Sequence, residues 1–252
     1  MKLTGRTMLI TGGSAGIGLA FAERFLELGN EVIITGRRES RLAEVKRQHP
    51  QLHTVLCDAA NSAQIVWLAK LVRTDFPNLD VLINNAGFSV SRNLATYSAD
   101  LDDLLQEVDT NVGGVVRTTS ALIDLLIANR GSIINVSSAL AFVPMPSMPI
   151  YCATKAAVHS YTQSLRSQLK NSGVKVIEIM PPAVQTDMTA NLPARGISLI
   201  TTAQLLKKVI PALEKGVEEI RPGQANVLAL MSRIAPRLIG NRLWQASQDH
   251  IP

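Results

Sequence analysis

Short, continuously apolar segments alternate along the chain with longer stretches in which apolar residues recur at helical spacing. Continuous apolar runs are typical of parallel strands that are buried on both faces, and their alternation with helices indicates βαβ units. We therefore expect an α/β fold, with a doubly wound parallel sheet in a single domain that spans residues 1–252. The predicted strands are Thr7–Thr11, Val32–Gly36, Leu52–Cys57, Val81–Asn84, Ser132–Val136 and Val174–Met180.

Periodicity also places the longer helices. Asn61 followed by Gln64 resembles a capping box that opens a helix reaching about Phe76. Residues 181–200 have no clean period, so they are either a mobile lid or an ordinary loop with a short helix. Residues 223–239 are expected to form a helix packed on the sheet, with a membrane-touching segment as the alternative. The remaining predicted helices span about 99–128, 150–172 and 202–215.

Composition excludes several classes of protein. The net charge is +5, but the basic residues are dispersed and aromatic residues make up 4% of the chain, which is poor for base stacking. Two cysteines, Cys57 and Cys152, are too few for a disulfide framework, and no metal-ligand spacing surrounds them. No signal-peptide pattern and no run of 18 apolar residues is present, so we expect a cytoplasmic protein with no membrane span. The dispersed charge and the low aromatic content predict no nucleic-acid partner.

A glycine-rich turn follows the first strand directly. The segment runs from Thr11 to Gly18 and contains glycines at 12, 13, 16 and 18, with a helix beginning inside it. Small residues allow a tight turn and a close approach of the backbone to a pyrophosphate, while the helix N-terminus directs free N–H groups at the anion. Glycines can also serve the geometry of such a turn alone, but the placement between strand and helix favours a dinucleotide site.

The end of the second strand bears on which dinucleotide binds. About 20 residues after the glycine turn, NAD-binding units present an acidic residue to the adenosine ribose. Gly36 occupies that position here, and Arg37 and Arg38 follow it with guanidinium groups suited to a 2′-phosphate. NADP is therefore predicted over NAD, although two arginines after a strand can also be a solvated turn.

Tyr151 and Lys155 are four residues apart in a predicted helix, so they share one face. A phenol has a pKa near about 10, and a neighbouring ammonium lowers that pKa toward the range of efficient proton transfer. The pair is thus a candidate for general acid–base catalysis, although by itself the pattern could be an ordinary pair on a helix surface.

Together these motifs resemble those of the short-chain dehydrogenase/reductase family. The glycines at 12, 16 and 18 match TGxxxGxG, Asn84–Gly87 matches NNAG, and Ser138 lies 13 residues before Tyr151. The resemblance covers residues 5–190, and the bacterial oxidoreductases encoded near lipoteichoic-acid D-alanylation genes are the nearest subgroup that it suggests. It implies a hydride transfer between NADP(H) and a carbonyl/alcohol pair.

The resemblance also assigns roles. Tyr151 would transfer the proton, Lys155 would tune it and bind the nicotinamide ribose, Ser138 would bind the substrate oxygen, and Asn111 would anchor a water through its carbonyl. Asp58 would touch the adenine. The complete set expected at the cofactor is Thr11, Gly12, Ser14, Gly16, Ile17, Gly18, Arg37, Arg38, Asp58, Asn85, Ala86, Gly87, Tyr151, Lys155, Pro181, Val184 and Thr186.

The chain departs from the family pattern at Pro182, which replaces a glycine and restricts the backbone expected beside the nicotinamide. The segment 139–149, with Phe88 and Val90, is largely apolar, so an uncharged hydrophobic small-molecule carbonyl substrate is predicted; Arg92 or Arg195 could reach in from flanking loops. A homodimer is expected and a tetramer is the alternative. A sensor or scaffold that binds cofactor without turnover is the alternative function.

Overall fold

The computed structural model describes residues 1–96, 101–190 and 198–247. They contain one seven-stranded sheet, entirely parallel, in the order β3-β2-β1-β4-β5-β6-β7. This confirms the predicted doubly wound α/β fold. The strands are β1 (Thr7–Ile10), β2 (Glu31–Gly36), β3 (His53–Leu56), β4 (Leu79–Asn84), β5 (Ser132–Val136), β6 (Lys175–Ile179) and β7 (Glu219–Ile220).

The helices cover both faces of the sheet, and they produce two separate apolar clusters. Along β1, Met8 and Ile10 face one cluster, which includes α1, α2 and α7, while Leu9 faces the other, with α3, α5 and α6. The helices are α1 (Gly16–Glu27), α2 (Glu39–Gln48), α3 (Ser62–Asp75), α4 (Leu101–Val108), α5 (Gly114–Ala128), α6 (Pro149–Gln168), α7 (Thr202–Glu214), α8 (Gln224–Ile234) and α9 (Pro236–Ser247).

The strand order reverses between β1 and β4, which lie side by side although two strands separate them in sequence. The connections leaving these strands run to opposite sides and open a crevice at the carboxyl ends, where α/β proteins bind ligands. The loops that follow β1, β2, β4 and β5 therefore converge at one edge of the sheet.

Three sequence predictions of the elements need correction. A seventh strand exists, β7, which at two residues is too short to give an apolar run. The helix expected at 99–128 contains a π-helical turn, Asp109–Gly113, between α4 and α5. The helix expected at 223–239 is two helices, because Pro236 disfavours the helical conformation at Ala235, whose φ is −140° and ψ is 61°. Helix α8 packs on the turn at 139–141 rather than on the sheet.

The continuous helical stretch Leu101–Ala128 is long and apolar enough to cross a membrane by length and composition, with a mean hydropathy of 1.2 in its most apolar 18-residue window. Its second half, α5, packs against β4 and α3 through Leu122 and Leu126. One such helix is weak support for a membrane span, since core helices of soluble proteins share the same composition.

Candidate active site

A cleft of about 1230 Å³ opens at the carboxyl ends of the strands. The glycine turn and the loops after β2, β3 and β4 line one part of it. The loops after β5 and β6, the start of α6, and the C-terminal helices α8 and α9 line the rest. The predicted cofactor-binding motifs and the predicted catalytic residues Ser138, Tyr151 and Lys155 therefore share a single cavity.

The glycine turn packs directly against the loop that follows β4. Gly12 has a φ of +65°, and a Cβ there would lie 2.8 Å from the Cα of Ala86. A Cβ on Gly18 would lie 2.3 Å from the carbonyl oxygen of Gly12. Helix α1 begins at Gly16 and its N-cap residue, Ala15, makes no side-chain cap, so the first N–H groups remain available to an anion.

Thr11 and Asn85 fasten these two loops together. The hydroxyl oxygen of Thr11 accepts hydrogen bonds from the backbone N–H groups of Asn85 and Ala86, both at 3.0 Å. The Asn85 side-chain amide donates to the carbonyls of Thr11 and Gly12 at 3.0 and 3.2 Å. Thr11 and Gly18 thus lie behind the cleft wall, whereas Gly12, Ser14, Gly16, Ile17, Asn85, Ala86 and Gly87 line it.

The basic end of the cleft lies after β2. Arg37 and Arg38 are exposed and line the cleft, and the Arg37 guanidinium lies over the Phe88 ring, 5.2 Å from its centroid. A Cβ on Gly36 would lie 2.9 Å from the hydroxyl of Ser14, so little room exists for a larger residue.

Asp58 also lines the cleft, and the Asn61–Gln64 pair helps to hold it. The Asn61 side chain caps α3 by accepting from the Gln64 N–H at 3.1 Å. The Gln64 side chain, however, accepts from the Asp58 N–H at 2.7 Å rather than returning to Asn61. The capping box is therefore only half formed, and its second half fixes the loop that carries Asp58.

Ser138, Tyr151 and Lys155 meet at the opposite end of the cleft. Ser138 begins the short 3₁₀ turn Ala139–Ala141, and its hydroxyl oxygen accepts from the Leu140 N–H at 3.1 Å. Tyr151 and Lys155 lie in the first two turns of α6, which Pro149 opens. Lys155 is 5% exposed, and its ammonium donates to the Val136 carbonyl at 3.0 Å.

Asn111 lies in the π-helical turn behind this group and is fully buried. Its side chain accepts from the Phe88 N–H at 3.0 Å and donates to the Phe88 carbonyl at 2.9 Å and to the Thr154 hydroxyl at 3.1 Å. It therefore joins the loop after β4 to α6. Asn111 does not line the cleft, although its neighbour Thr110 does.

Burial dominates the acid–base properties of the site without cofactor. It raises the pKa of Tyr151 to about 12, against a hydrogen bond with Ser138 that lowers it. Burial also lowers the pKa of Lys155 to about 8, while the Glu178 carboxylate opposes that shift. The direction for Tyr151 is opposite to the one expected from its neighbouring lysine, because desolvation outweighs the charge and the ammonium bonds to a carbonyl.

The segment after β6 completes the cleft wall. Pro181, Pro182, Val184 and Thr186 all line it, and Thr186 lies against Gly16, whose added Cβ would meet the Thr186 methyl at 3.2 Å. Val184 forms an isolated parallel bridge with Ile200. Residues 191–197, in the middle of the lid or loop predicted at 181–200, lie outside the described part of the chain.

The far side of the cleft contains residues that the sequence did not single out. Helices α8 and α9 contribute a mainly apolar wall, which faces Leu140, Met145 and Met148 from the predicted segment. An amphipathic C-terminal stretch was visible in the sequence, but its partner was not, since only the tertiary fold brings it beside the turn at 139–141. The lining residues of α8 and α9 are Gln224, Val227, Leu228, Ile239, Arg242, Leu243 and Gln245.

Arg92 does not reach into the cleft as predicted. It is 8% exposed and forms a buried ion pair with Glu107 of α4. Glu107 also accepts from the Val90 N–H at 3.2 Å, so this pair organises the loop after β4, and Val90 lies outside the cleft. Arg195 falls in the undescribed residues 191–197.

Comparisons with known proteins show which family the chain resembles. The family model described as short chain dehydrogenase matches residues 6–196. The chain is 42% identical over 227 residues to the uncharacterized oxidoreductase DltE of Bacillus subtilis (strain 168), covering 87% of this chain and 89% of that protein. An uncharacterized oxidoreductase of Staphylococcus aureus (strain USA300) is 37% identical over 191 residues, which cover 75% and 82% of the two chains.

Solved structures share the fold of this chain. A short chain dehydrogenase from Burkholderia cenocepacia J2315, in complex with NADP, superposes with a TM-score of 0.84 at 29% identity, over 96% of this chain and 99% of that one. A short chain dehydrogenase/reductase from Burkholderia phymatum, in complex with NAD, superposes with a TM-score of 0.82 at 23% identity, over 96% of each chain.

Proposed function

Because the chain belongs to the short chain dehydrogenase family of oxidoreductases, we propose that it is an NADP(H)-dependent enzyme acting on a carbonyl/alcohol pair. The observation that carries the proposal is one cleft with two chemically distinct ends. Ser138, Tyr151 and Lys155 meet at one end, and Arg37 and Arg38 line the other. The chain is thereby equipped both to hold a nicotinamide dinucleotide and to move a proton beside it.

The wall of the cleft fits such a cofactor. At Gly12 and Gly87 a Cβ would lie 2.8 Å from the Ala86 Cα and 2.9 Å from the Asn111 side-chain oxygen, so glycine allows these loops to pack closely and form the wall. The N-terminus of α1 would bind the pyrophosphate, and Asp58 the adenine. We further propose that the cofactor contacts Ser14, Ile17, Pro181, Val184 and Thr186 and the loop after β4.

Selection of NADP rests on the end of β2. Gly36 offers no carboxylate to repel a 2′-phosphate, and a larger residue there would collide with Ser14. Among the described residues, neither Arg37 nor Arg38 forms an ion pair with a carboxylate. Two exposed guanidinium groups without such partners are suited to bind a phosphate.

When bound, the nicotinamide supplies or accepts the hydride. On the protein side, Tyr151 gives its proton to the oxygen of the carbonyl, and Ser138 donates a hydrogen bond to the same oxygen as negative charge develops on it. With a pKa of about 12 in the protein without cofactor, the Tyr151 phenol holds its proton at neutral pH, and this is the form that a proton donor needs in reduction. Lys155 would bind the nicotinamide ribose, and Asn111 would hold a water through its backbone carbonyl.

The apolar wall supports an uncharged, fairly hydrophobic carbonyl as substrate. Leu140, Met145 and Met148 line the cleft together with Val227 and Leu228, and methionine side chains adapt to varied shapes. We propose that segment 181–190, with 198–200, borders the bound substrate. The residues in between lie outside the described chain.

We also propose a homodimer, formed through the α4–α5 and α6 surface that the resemblance indicates. Leu101, Leu105 and Val108 of α4 are exposed and follow one another at helical spacing, so they form one apolar stripe that a second copy would cover. Light scattering on a size-exclusion column distinguishes a dimer from a tetramer or monomer. The cytoplasmic location stays a prediction.

A steady-state survey tests the proposed function. The purified chain is assayed against a panel of aliphatic and aromatic ketones and aldehydes, with NADPH and NADH in parallel. We expect turnover with NADPH and little with NADH. Tight cofactor binding without turnover of any carbonyl would instead favour the cofactor-binding sensor, and no binding of either nucleotide would overturn the proposal.

A further inference from the structure

A fully buried carboxylate lies directly behind the candidate active site. Glu178 is on β6, next to β5, and none of its surface is exposed. Its Oε1 accepts a hydrogen bond from the Ser137 hydroxyl, and its Oε2 pairs with His159 Nδ1 at 2.8 Å. Both oxygens of Glu178 are therefore bound, one by a neighbour of Ser138 and the other by α6.

These three residues are not a nucleophilic triad. In a Ser–His–acid triad the histidine lies between the serine and the carboxylate, so that it can take the serine proton. Here the carboxylate lies between Ser137 and His159, and the serine proton is committed to Glu178. The arrangement holds the Glu178 charge in place and does not activate the Ser137 hydroxyl.

Helix α6 connects this group to the active site. Tyr151, Lys155 and His159 follow one another at intervals of four residues, which places them along one face of the helix. The Lys155 ammonium bonds to the carbonyl of Val136, and the next residue, Ser137, bonds to Glu178. The spacing of these three residues is visible in the sequence, but the Glu178 carboxylate that pairs with His159 is on a strand about 20 residues further along the chain.

Glu178 and Lys155 are each costly to bury alone. A buried ammonium loses hydration and tends to release its proton, and a buried carboxylate tends to gain one, unless opposite charges compensate. Glu178 raises the Lys155 pKa against the effect of burial, which is the largest influence on that group. Its hydrogen bond raises the pKa of His159 in the same way.

We propose that Glu178 is a positioning residue that keeps the Lys155 side chain charged and directed at the active site, and that His159 adjusts this effect through Glu178. His159 is 17% exposed, so it links the buried pair to solvent. When His159 is protonated it neutralises part of the Glu178 charge, and when it is neutral the full carboxylate acts on Lys155. The consequence for catalysis rests on the proposed function, whereas the effect on Lys155 does not.

Other ionisable groups surround this cluster. Glu219 and Arg221, at and beside β7, act on His159 in opposite directions. Glu107 of α4 acts on Tyr151 and Cys152. Arg166 of α6 pairs with Glu218 and Glu219 at the edge of the sheet. Among the described residues, Glu178 is the charged group with a resolved effect on Lys155.

The test measures Lys155 directly, in protein without cofactor or substrate. Competitive labelling with acetic anhydride over a range of pH, read by peptide mass spectrometry, gives the midpoint at which Lys155 becomes reactive. The variants are Glu178→Gln, His159→Gln and the double variant. Glu27→Gln serves as a control, because Glu27 is an exposed glutamate paired with Arg24 on α1. Thermal melting verifies that each variant is folded.

We expect Glu178→Gln to lower the Lys155 midpoint by about one pH unit, since an opposite charge is lost at close range. His159→Gln should raise the midpoint wherever the histidine is protonated in wild type, because an unneutralised carboxylate then remains. The double variant should match Glu178→Gln, and Glu27→Gln should match wild type. If Glu178→Gln does not fold, the double variant provides the test, because it removes both charges, and a Lys155 midpoint equal to that of wild type in it overturns the proposal.

Two other results would also overturn it. One is an unchanged Lys155 midpoint in folded Glu178→Gln protein. The other is an equal effect of His159→Gln whether or not Glu178 is present, which would mean that the histidine acts independently. A parallel pH profile of kcat/KM for NADPH should show its alkaline limb at lower pH in Glu178→Gln. If the protein has no turnover, the kcat/KM profile cannot be recorded, but the Lys155 labelling midpoint can still be measured. The proposed function and the proposed role of Glu178 can therefore fail separately.

Discussion

The Lys155 ammonium lies 5.6 Å from the centre of the Tyr151 ring, yet its hydrogen bond goes to a backbone carbonyl and not to the phenol. The two groups that must cooperate are thus close but not joined in the protein without cofactor. Both are also shifted by burial away from the ionised form.

The buried Lys155 should make the stability of the cofactor-free protein depend on pH. Its pKa is about 8 in the folded chain and ordinarily 10.5, so between these values the unfolded state binds more protons and stability rises with pH. Below about pH 8 the charged Lys155 side chain destabilises the folded protein by the full amount, which corresponds to about 3 kcal/mol. Lys155→Met should therefore be more stable than wild type at pH 7.

Urea unfolding of wild type and Lys155→Met at pH 7 and pH 9.5 measures this effect. The difference between the two proteins should shrink as pH rises. Cys57, Cys152 and Tyr151, whose pKa values are raised by burial, titrate in both proteins and cancel in the comparison. A difference that stays constant with pH would mean that Lys155 is not the group responsible.

Arg37→Ala should weaken NADPH binding at least about tenfold, the equivalent of one charge-assisted phosphate contact. NADH binding should change much less, because NADH lacks the 2′-phosphate. Calorimetric titration of both nucleotides measures the two affinities. Arg47→Ala, at the exposed far end of α2, is the matched control. Equal losses for the two nucleotides, or tighter binding of NADH by wild type, would contradict the NADP assignment.

Tyr151→Phe should reduce kcat by about 10²–10⁴-fold, because it removes only the proton donor. Cofactor affinity and the melting temperature should be nearly unchanged. Tyr161→Phe is a matched control on the same helix, since that phenol bonds to Thr119 away from the cleft. Single-turnover reduction, followed by the loss of NADPH absorbance, separates the chemical step from product release. Turnover within a few-fold of wild type would exclude Tyr151 as the acid.

Leu228→Ala should lower kcat/KM about tenfold for long apolar ketones and little for short ones, because it removes apolar contact from the cleft wall. Leu230 is on the same helix but is 57% exposed and outside the cleft, so Leu230→Ala should have no such effect. Assays with a homologous series of ketones test both variants. A preference of wild type for small keto acids would show that the apolar cleft does not select the substrate.

The sequence by itself determined the parallel sheet, the glycine turn and the pair Tyr151–Lys155. These depend on local spacing: continuous apolar runs specify buried strands, and four residues make one turn of helix. Parallel strands then place all their carboxyl ends at one edge, so loops distant in sequence meet there whatever the remaining details. The family resemblance followed from the same local patterns.

Tertiary structure alone decided the rest. Helices α8 and α9 line the cleft, Arg92 is committed to Glu107, and Glu178 lies behind Lys155. The direction in which the Tyr151 pKa is shifted was also decided by the tertiary structure. Desolvation and charge pairing depend on which groups surround an atom in three dimensions, and that information is absent from the spacing of residues along a chain.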